Sequence, residues 1–126
     1  MSEQVDLDRL LEVASGFGTV PMLLTTGEDG RPRAAAVTVS WHGELASVRA
    51  GHRSLGNAGR SPLVTLLWPA PPGERFALLV DGTVETVRPD PPPDGTDVGR
   101  RPRPGGVMTL RPTSAILHVV SRSAAG

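Results

Sequence analysis

Hydrophobic and polar positions alternate along most of this chain, and the period changes between segments. Near the N-terminus Leu7, Leu10, Leu11 and Ala14 fall at i, i+3, i+4 and i+7. That single apolar stripe predicts a helix over 6–14, capped by Asp6 and ended by Gly16. So short a helix must pack on something to be stable. From Pro21 the period shortens to two. Residues 21–26 form the first expected strand, Gly27-Glu28-Asp29-Gly30 its hairpin turn, and 31–41 the return strand. After the turn at His42-Gly43 a third strand covers 44–50, in which Val48 and Ala50 share one face and Ser47 and Arg49 the other.

A short helix over 54–59, weakened by Gly56 and Gly59, leads to a fourth strand at 63–68. A Pro-rich turn at 69–73 precedes a long fifth strand at 76–87. Asp81-Gly82 inside it marks a bulge or sharp bend, as a closing sheet needs. Residues 88–106 are mostly Pro, Gly, Asp and Arg and predict a loop. Residues 107–111 and 114–120 supply the last strand, with Pro112 as a kink or edge, and a disordered tail is expected from Ser121. The expected fold is therefore mainly β, a single domain over 1–126. It has six antiparallel strands in a barrel or sandwich, an N-terminal helix, and one short helix between strands 3 and 4. No βαβ alternation and no glycine-rich dinucleotide fingerprint is present.

Composition narrows the function. Thirteen basic residues, all Arg, balance 13 acidic ones. A net charge of zero argues against broad binding to nucleic acid or to a membrane surface. No run nears the roughly 20 apolar residues of a membrane helix. The acidic first 12 residues do not read as a signal peptide, which leaves the cytoplasm as the expected location. The absence of Cys removes disulfides, thiolate metal sites and Cys nucleophiles, and the three scattered His make no metal motif. With no Tyr and 3% aromatics, the core is built mostly from Leu, Val and Ala. So thin a core favours burial against a second copy of the chain.

The segment richest in chemistry is 49–67, where a strand, a basic-hydroxyl turn, a short helix and a second strand form an anion cradle. Arg53 offers a bidentate fork, and Ser54 a hydroxyl and a backbone N–H; the plain alternative is a helix cap beside a solvated Arg. Arg49 shares a face with Ser47 that lines a groove or faces water. Asn57 bonds either a ligand or the loop after the helix. His52 and His42 read as surface and His118 as a strand histidine. Trp68 ends a strand, where it packs the core or a subunit seam, or stacks on a ring; Trp41 reads the same way with less functional weight.

Four segments in order resemble the flavin-binding split-barrel superfamily, the pyridoxamine 5′-phosphate oxidase-like proteins. They are the hairpin Leu24-Thr25-Thr26-Gly27-Glu28-Asp29-Gly30-Arg31-Pro32-Arg33, the helix ending at Asn57 followed by Pro62-Leu63-Val64-Thr65, the strand Val80-Asp81-Gly82-Thr83-Val84-Glu85, and the closing Leu110-Arg111-Pro112-Thr113-Ser114-Ala115-Ile116-Leu117-His118. The resemblance implies a six-stranded split β-barrel that forms a homodimer. It implies FMN, or the deazaflavin F420, in a groove at the subunit interface, and redox chemistry on a small-molecule substrate. It places Thr38 at the flavin-ring edge and the phosphate at Arg49, Arg53 and Ser54, although Ser54 stands where the family carries a cation. Arg100, Arg101 and Arg103 are candidates for the longer anionic tail of F420. A cofactor-free split barrel acting as a binding module is the reading from another class.

Overall fold

The computed structural model describes residues 2–91 and 104–120. The expectations for Arg100, Arg101 and Arg103 and for the tail from Ser121 lie outside the described residues. In chain order the elements are β1 (Ser2–Val5), a 3₁₀ turn (Leu7–Arg9), α1 (Leu10–Ser15), β2 (Met22–Thr26), β3 (Pro32–Ala36), β4 (Thr38–His42), β5 (Leu45–Ala50), α2 (His52–Arg60), β6 (Leu63–Trp68), β7 (Phe76–Pro89) and β8 (Gly106–Val119). The strands form one antiparallel sheet of order β3-β2-β6-β7-β8-β5-β4, and β1 also pairs with β8.

The two ends of that order, β3 and β4, are consecutive in the chain and separated by Val37 alone. The amides of Val37 and Val39 donate to the carbonyls of Pro21 and Thr19 at 3.1 and 2.9 Å. One bent stretch of chain thus leaves β2, crosses to β5 and ties the sheet's ends together, giving a curled half-barrel. The six strands expected become eight for two physical reasons. The return strand expected at 31–41 changes partner at Val37, from β2 to β5. Ser2–Val5, polar but for one buried Val, adds an edge strand by pairing with residues 115–118.

The interior follows the two-residue period. Leu23, Val39, Ala46, Val48, Ala50, Val64, Leu66, Trp68, Leu78, Val80, Met108 and Leu110 all point inward and are buried. The face with Val48 and Ala50 is inside and Arg49 is outside, as the alternation predicts. The N-terminal helix begins as a 3₁₀ turn, and it buries Leu10 and Ala14 but leaves Leu7 and Leu11 exposed. β7 continues to Pro89, beyond the strand end expected at 87, because Arg88 and Pro89 pair with Val107 and Gly106.

β7 and β8 pair along their whole length, with register shifts at Asp81/Gly82 and between Val84 and Thr86. Gly82 faces Pro112, which has no N–H to give the ladder. Thr113 is the extra residue there, and its hydroxyl donates to the Asp81 carbonyl at 3.2 Å. A Cβ on Gly82 would lie 2.7 Å from Leu110 Cδ1 and 2.9 Å from the Arg111 carbonyl oxygen. Gly82→Ala is therefore expected to lower unfolding free energy by about 1–3 kcal/mol, through overpacking at the bend. Gly59→Ala on α2, where an added Cβ meets nothing within 4 Å, is expected to raise it by up to about 1 kcal/mol. Urea unfolding of both variants checks the pair of opposite signs.

Candidate functional site

α2 is nine residues long, longer at both ends than its two glycines predict. Ser54, Leu55 and Ala58 are buried on its inner face, and this burial outweighs the low helix propensity. The cap residue Gly51 is extended (φ −73°, ψ 166°), makes no side-chain cap, and no acidic residue occupies the first turn. The first intrahelical bond runs from the Leu55 amide to the Gly51 carbonyl at 3.1 Å. The amides of His52, Arg53 and Ser54 precede it, so this helix start presents N–H groups and the positive end of the dipole.

That helix start and the β2–β3 hairpin enclose an open cleft of about 780 Å³, within the range of small-molecule sites. Arg33, Arg53 and Arg60 line it together with Glu28 and Asp29. Four of these charges are already paired. Arg33 Nη2 lies 3.0 Å from Asp29 Oδ2, and Arg60 Nη1 lies 3.5 Å from Glu28 Oε1. Arg53 makes no ion pair among the described residues, so it carries the cleft's excess positive charge. Ser54 sits beside it at 9% exposure.

Asn57 fixes α2 to the sheet. Its Nδ2 donates to Thr25 Oγ1 at 3.1 Å, while its Oδ1 accepts from Arg60 Nη2 at 2.5 Å. Thr25 is 5% exposed and sits directly opposite Arg33 in the hairpin. A buried hydroxyl therefore has its partner on the helix that bounds the cleft.

The structure brings Arg53, Ser54 and Asn57 into this one site. Arg49 and Thr38 lie elsewhere. They are opposite each other on β5 and β4, both exposed on the outer face of the sheet. Arg49 donates to both carboxylate oxygens of Asp90, at 2.7 and 3.5 Å. The hydrogen bond and the charge of Asp90 push its pKa above the ordinary Arg value, so the guanidinium remains charged. Trp68 is 1% exposed in the core, where its Nε1 donates to the Gly18 carbonyl at 3.0 Å and its ring stacks on Trp41. His118 bonds Ser2 and His42 bonds Ser40 at the surface.

Arg33, Arg60 and their acidic partners are site residues that the sequence pattern did not single out. The register of the Asp-Gly hairpin carries the signal for Arg33, since it sets Arg33 opposite Thr25. The i+3 spacing from Asn57 carries it for Arg60. Asn57→Ala removes the partner of a buried hydroxyl and is expected to cost about 1–3 kcal/mol of stability. Equilibrium unfolding checks this, and Arg60→Ala should cost less because its partners reach solvent.

No helix among the described residues is long and apolar enough to cross a membrane. Among them, no group of three His, Asp or Glu could hold a metal ion. No family model matches the chain, and no curated protein matches it. Solved structures do. An F420 reductase is 21% identical over 77% of this chain and 88% of its own, with a TM-score of 0.59. An FAD-binding protein from Mesorhizobium loti is 13% identical over 93% and 96%, with a TM-score of 0.62. A Clostridium acetobutylicum protein related to general stress protein 26 of Bacillus subtilis, of the pyridoxinephosphate oxidase family, is 17% identical over 91% of each chain, with a TM-score of 0.61. The curled sheet thus shares its fold, a split barrel, with these three proteins.

Proposed function

We propose that the chain is a cytoplasmic, homodimeric oxidoreductase that binds FMN with its phosphate at the start of α2. The observation that carries this reading is the guanidinium of Arg53, without an ion pair among the described residues, beside Ser54 and three helix-start amides, in a cleft whose other charges are matched. These donors fit a phosphate. Arg53 supplies the charge, Ser54 the hydroxyl and His52–Ser54 the backbone N–H groups. When bound, FMN would supply the hydride and electron transfer. The chain's own part is to hold the phosphate, and Asn57 and Arg60 keep α2 at the hairpin so that the donors converge. Thr38 and Arg49 take no part in this cleft.

Support for the dimer comes from the outer face of the sheet. Met22, Leu67, Leu79 and Ile116 lie side by side on four adjacent strands and are each partly exposed. Such a row on a chain with a thin core suits a second copy. Leu67→Glu is expected to convert the dimer to a monomer by light scattering, with the circular dichroism spectrum unchanged.

F420 is the second reading, supported by the F420 reductase among the similar structures. Titration of the purified chain with FMN and with F420, followed by absorbance and fluorescence, separates the two. Saturable FMN binding is expected. Arg53→Ala should weaken it roughly 10- to 100-fold, the value of one charge-assisted hydrogen bond. A chain that binds neither cofactor overturns both readings and leaves a split barrel acting as a binding module on an unidentified small molecule.

A further inference from the structure

A second concavity lies at the opposite end of β5 from α2. β5 is six residues long, which separates the two sites by about 20 Å. This cavity has a volume of about 490 Å³. Its apolar wall is Leu7, Leu11, Trp41 and Pro112, and its charged residues are Asp8, Glu44 and Arg111. It is independent of the proposed cofactor cleft, with which it shares no residue.

The wall is unusual for a solvent-facing surface. Leu7 and Leu11 are 46% and 50% exposed, so the apolar stripe of the N-terminal helix is only half used by the core. Trp41 is half-buried, with Trp68 stacked on it at 6.5 Å between centroids and 17° between planes. The pair sets a rigid indole into the cavity wall.

The charges decide what this wall receives. Arg111 donates from Nε and Nη2 to Glu85 at 3.0 and 3.5 Å, and its Nη1 lies 3.9 Å from Glu44. Its positive charge is therefore already compensated from outside the cavity. Among the described residues Glu44 is held only by that long contact, and its side chain is 93% exposed. Asp8 makes no ion pair among the described residues. An anion entering here would have to displace Glu85 and then face two carboxylates, whereas a cation meets two under-compensated acids beside an aromatic ring. We infer that this cavity binds a small organic cation. Its ammonium would lie between Asp8, Glu44 and the Trp41 ring, and its apolar body against Leu7 and Leu11.

The test is a ¹H–¹⁵N NMR titration of the full chain with benzyltrimethylammonium, with phenylacetate as the isosteric anion. The Trp41 indole N–H peak is assigned by its loss in Trp41→Phe. The expected result is a saturable shift of that peak with benzyltrimethylammonium and none with phenylacetate. The Asp8→Asn, Glu44→Gln double variant should weaken binding at least fivefold. Both substituted side chains are exposed, and an otherwise unchanged spectrum shows that the fold is retained. No shift at millimolar cation, an equal or stronger response to phenylacetate, or unaltered binding by the double variant would each overturn the inference.

Discussion

The β7–β8 ladder is the constraint on which the rest of the structure depends. Every other part of the sheet is hung on it. β7 holds β6 on its outer side, and β8 holds β5 along its first half and β1 along its second. Two strands of 14 residues could stay flat only as an open ribbon. The bulges at Gly82 and Glu85 bend them, so that β6 and β5 swing toward each other. Once that happens, the chain after β2 can reach β5 within one continuous strand.

The same ladder positions the candidate site. At its open end Gly106 lies under α2. A Cβ there would strike the Arg88 carbonyl, Pro89 and Leu55 Cδ1, so only glycine lets β8 begin where the helix must sit. Gly105 makes the same kind of approach to the Ala50 carbonyl, and its own carbonyl accepts the Asp90 amide at 2.9 Å. Asp90 in turn holds Arg49 on β5. The strand that enters α2 and the strand that supports it are thus locked together just before the helix starts. Backbone packing between these glycines and carbonyls thus sets where α2 starts, and the Asn57 bond to Thr25 holds the helix against the hairpin.

Much of the fold was legible in the sequence because the alternation is local. Val48 and Ala50 inside, Arg49 outside, the Asp-Gly hairpin and the bend at Gly82 all follow from neighbours within a few residues. What the sequence pattern hid depends on distant partners. The break at Val37 is invisible because a strand that changes partner keeps its apolar period. β1 is invisible because Ser2–Val5 has little strand character of its own and pairs with residues more than 100 positions away. At the site, Arg53, Ser54 and Asn57 were legible as a basic-hydroxyl turn. Arg33 was not, because only the docking of α2 on the hairpin brings it across from them. Thr38 and Arg49 show the converse. They are near α2 in sequence, but alternation sends them to the outer face.

Ser54 is the residue where sequence and structure bear most directly on each other. A cation is expected by resemblance at this position, and the structure shows why a small hydroxyl can stand there. Residue 54 belongs to the buried side of α2, next to Leu55 and one turn before Ala58. A guanidinium or ammonium there would be taken out of water against the sheet unless an anion met it. Arg53 is one position earlier, about 100° around the helix, and is exposed. Moving the charge from 54 to 53 shifts it from the floor of the cleft to its rim, where its solvation cost is small. The floor then offers only neutral donors, the Ser54 hydroxyl and the helix-start amides. Such a site is stable when empty and does not need a bound anion to hold its fold. In this chain, therefore, α2 does not depend on a bound anion, and occupancy of the proposed phosphate site would add to its stability by mass action alone.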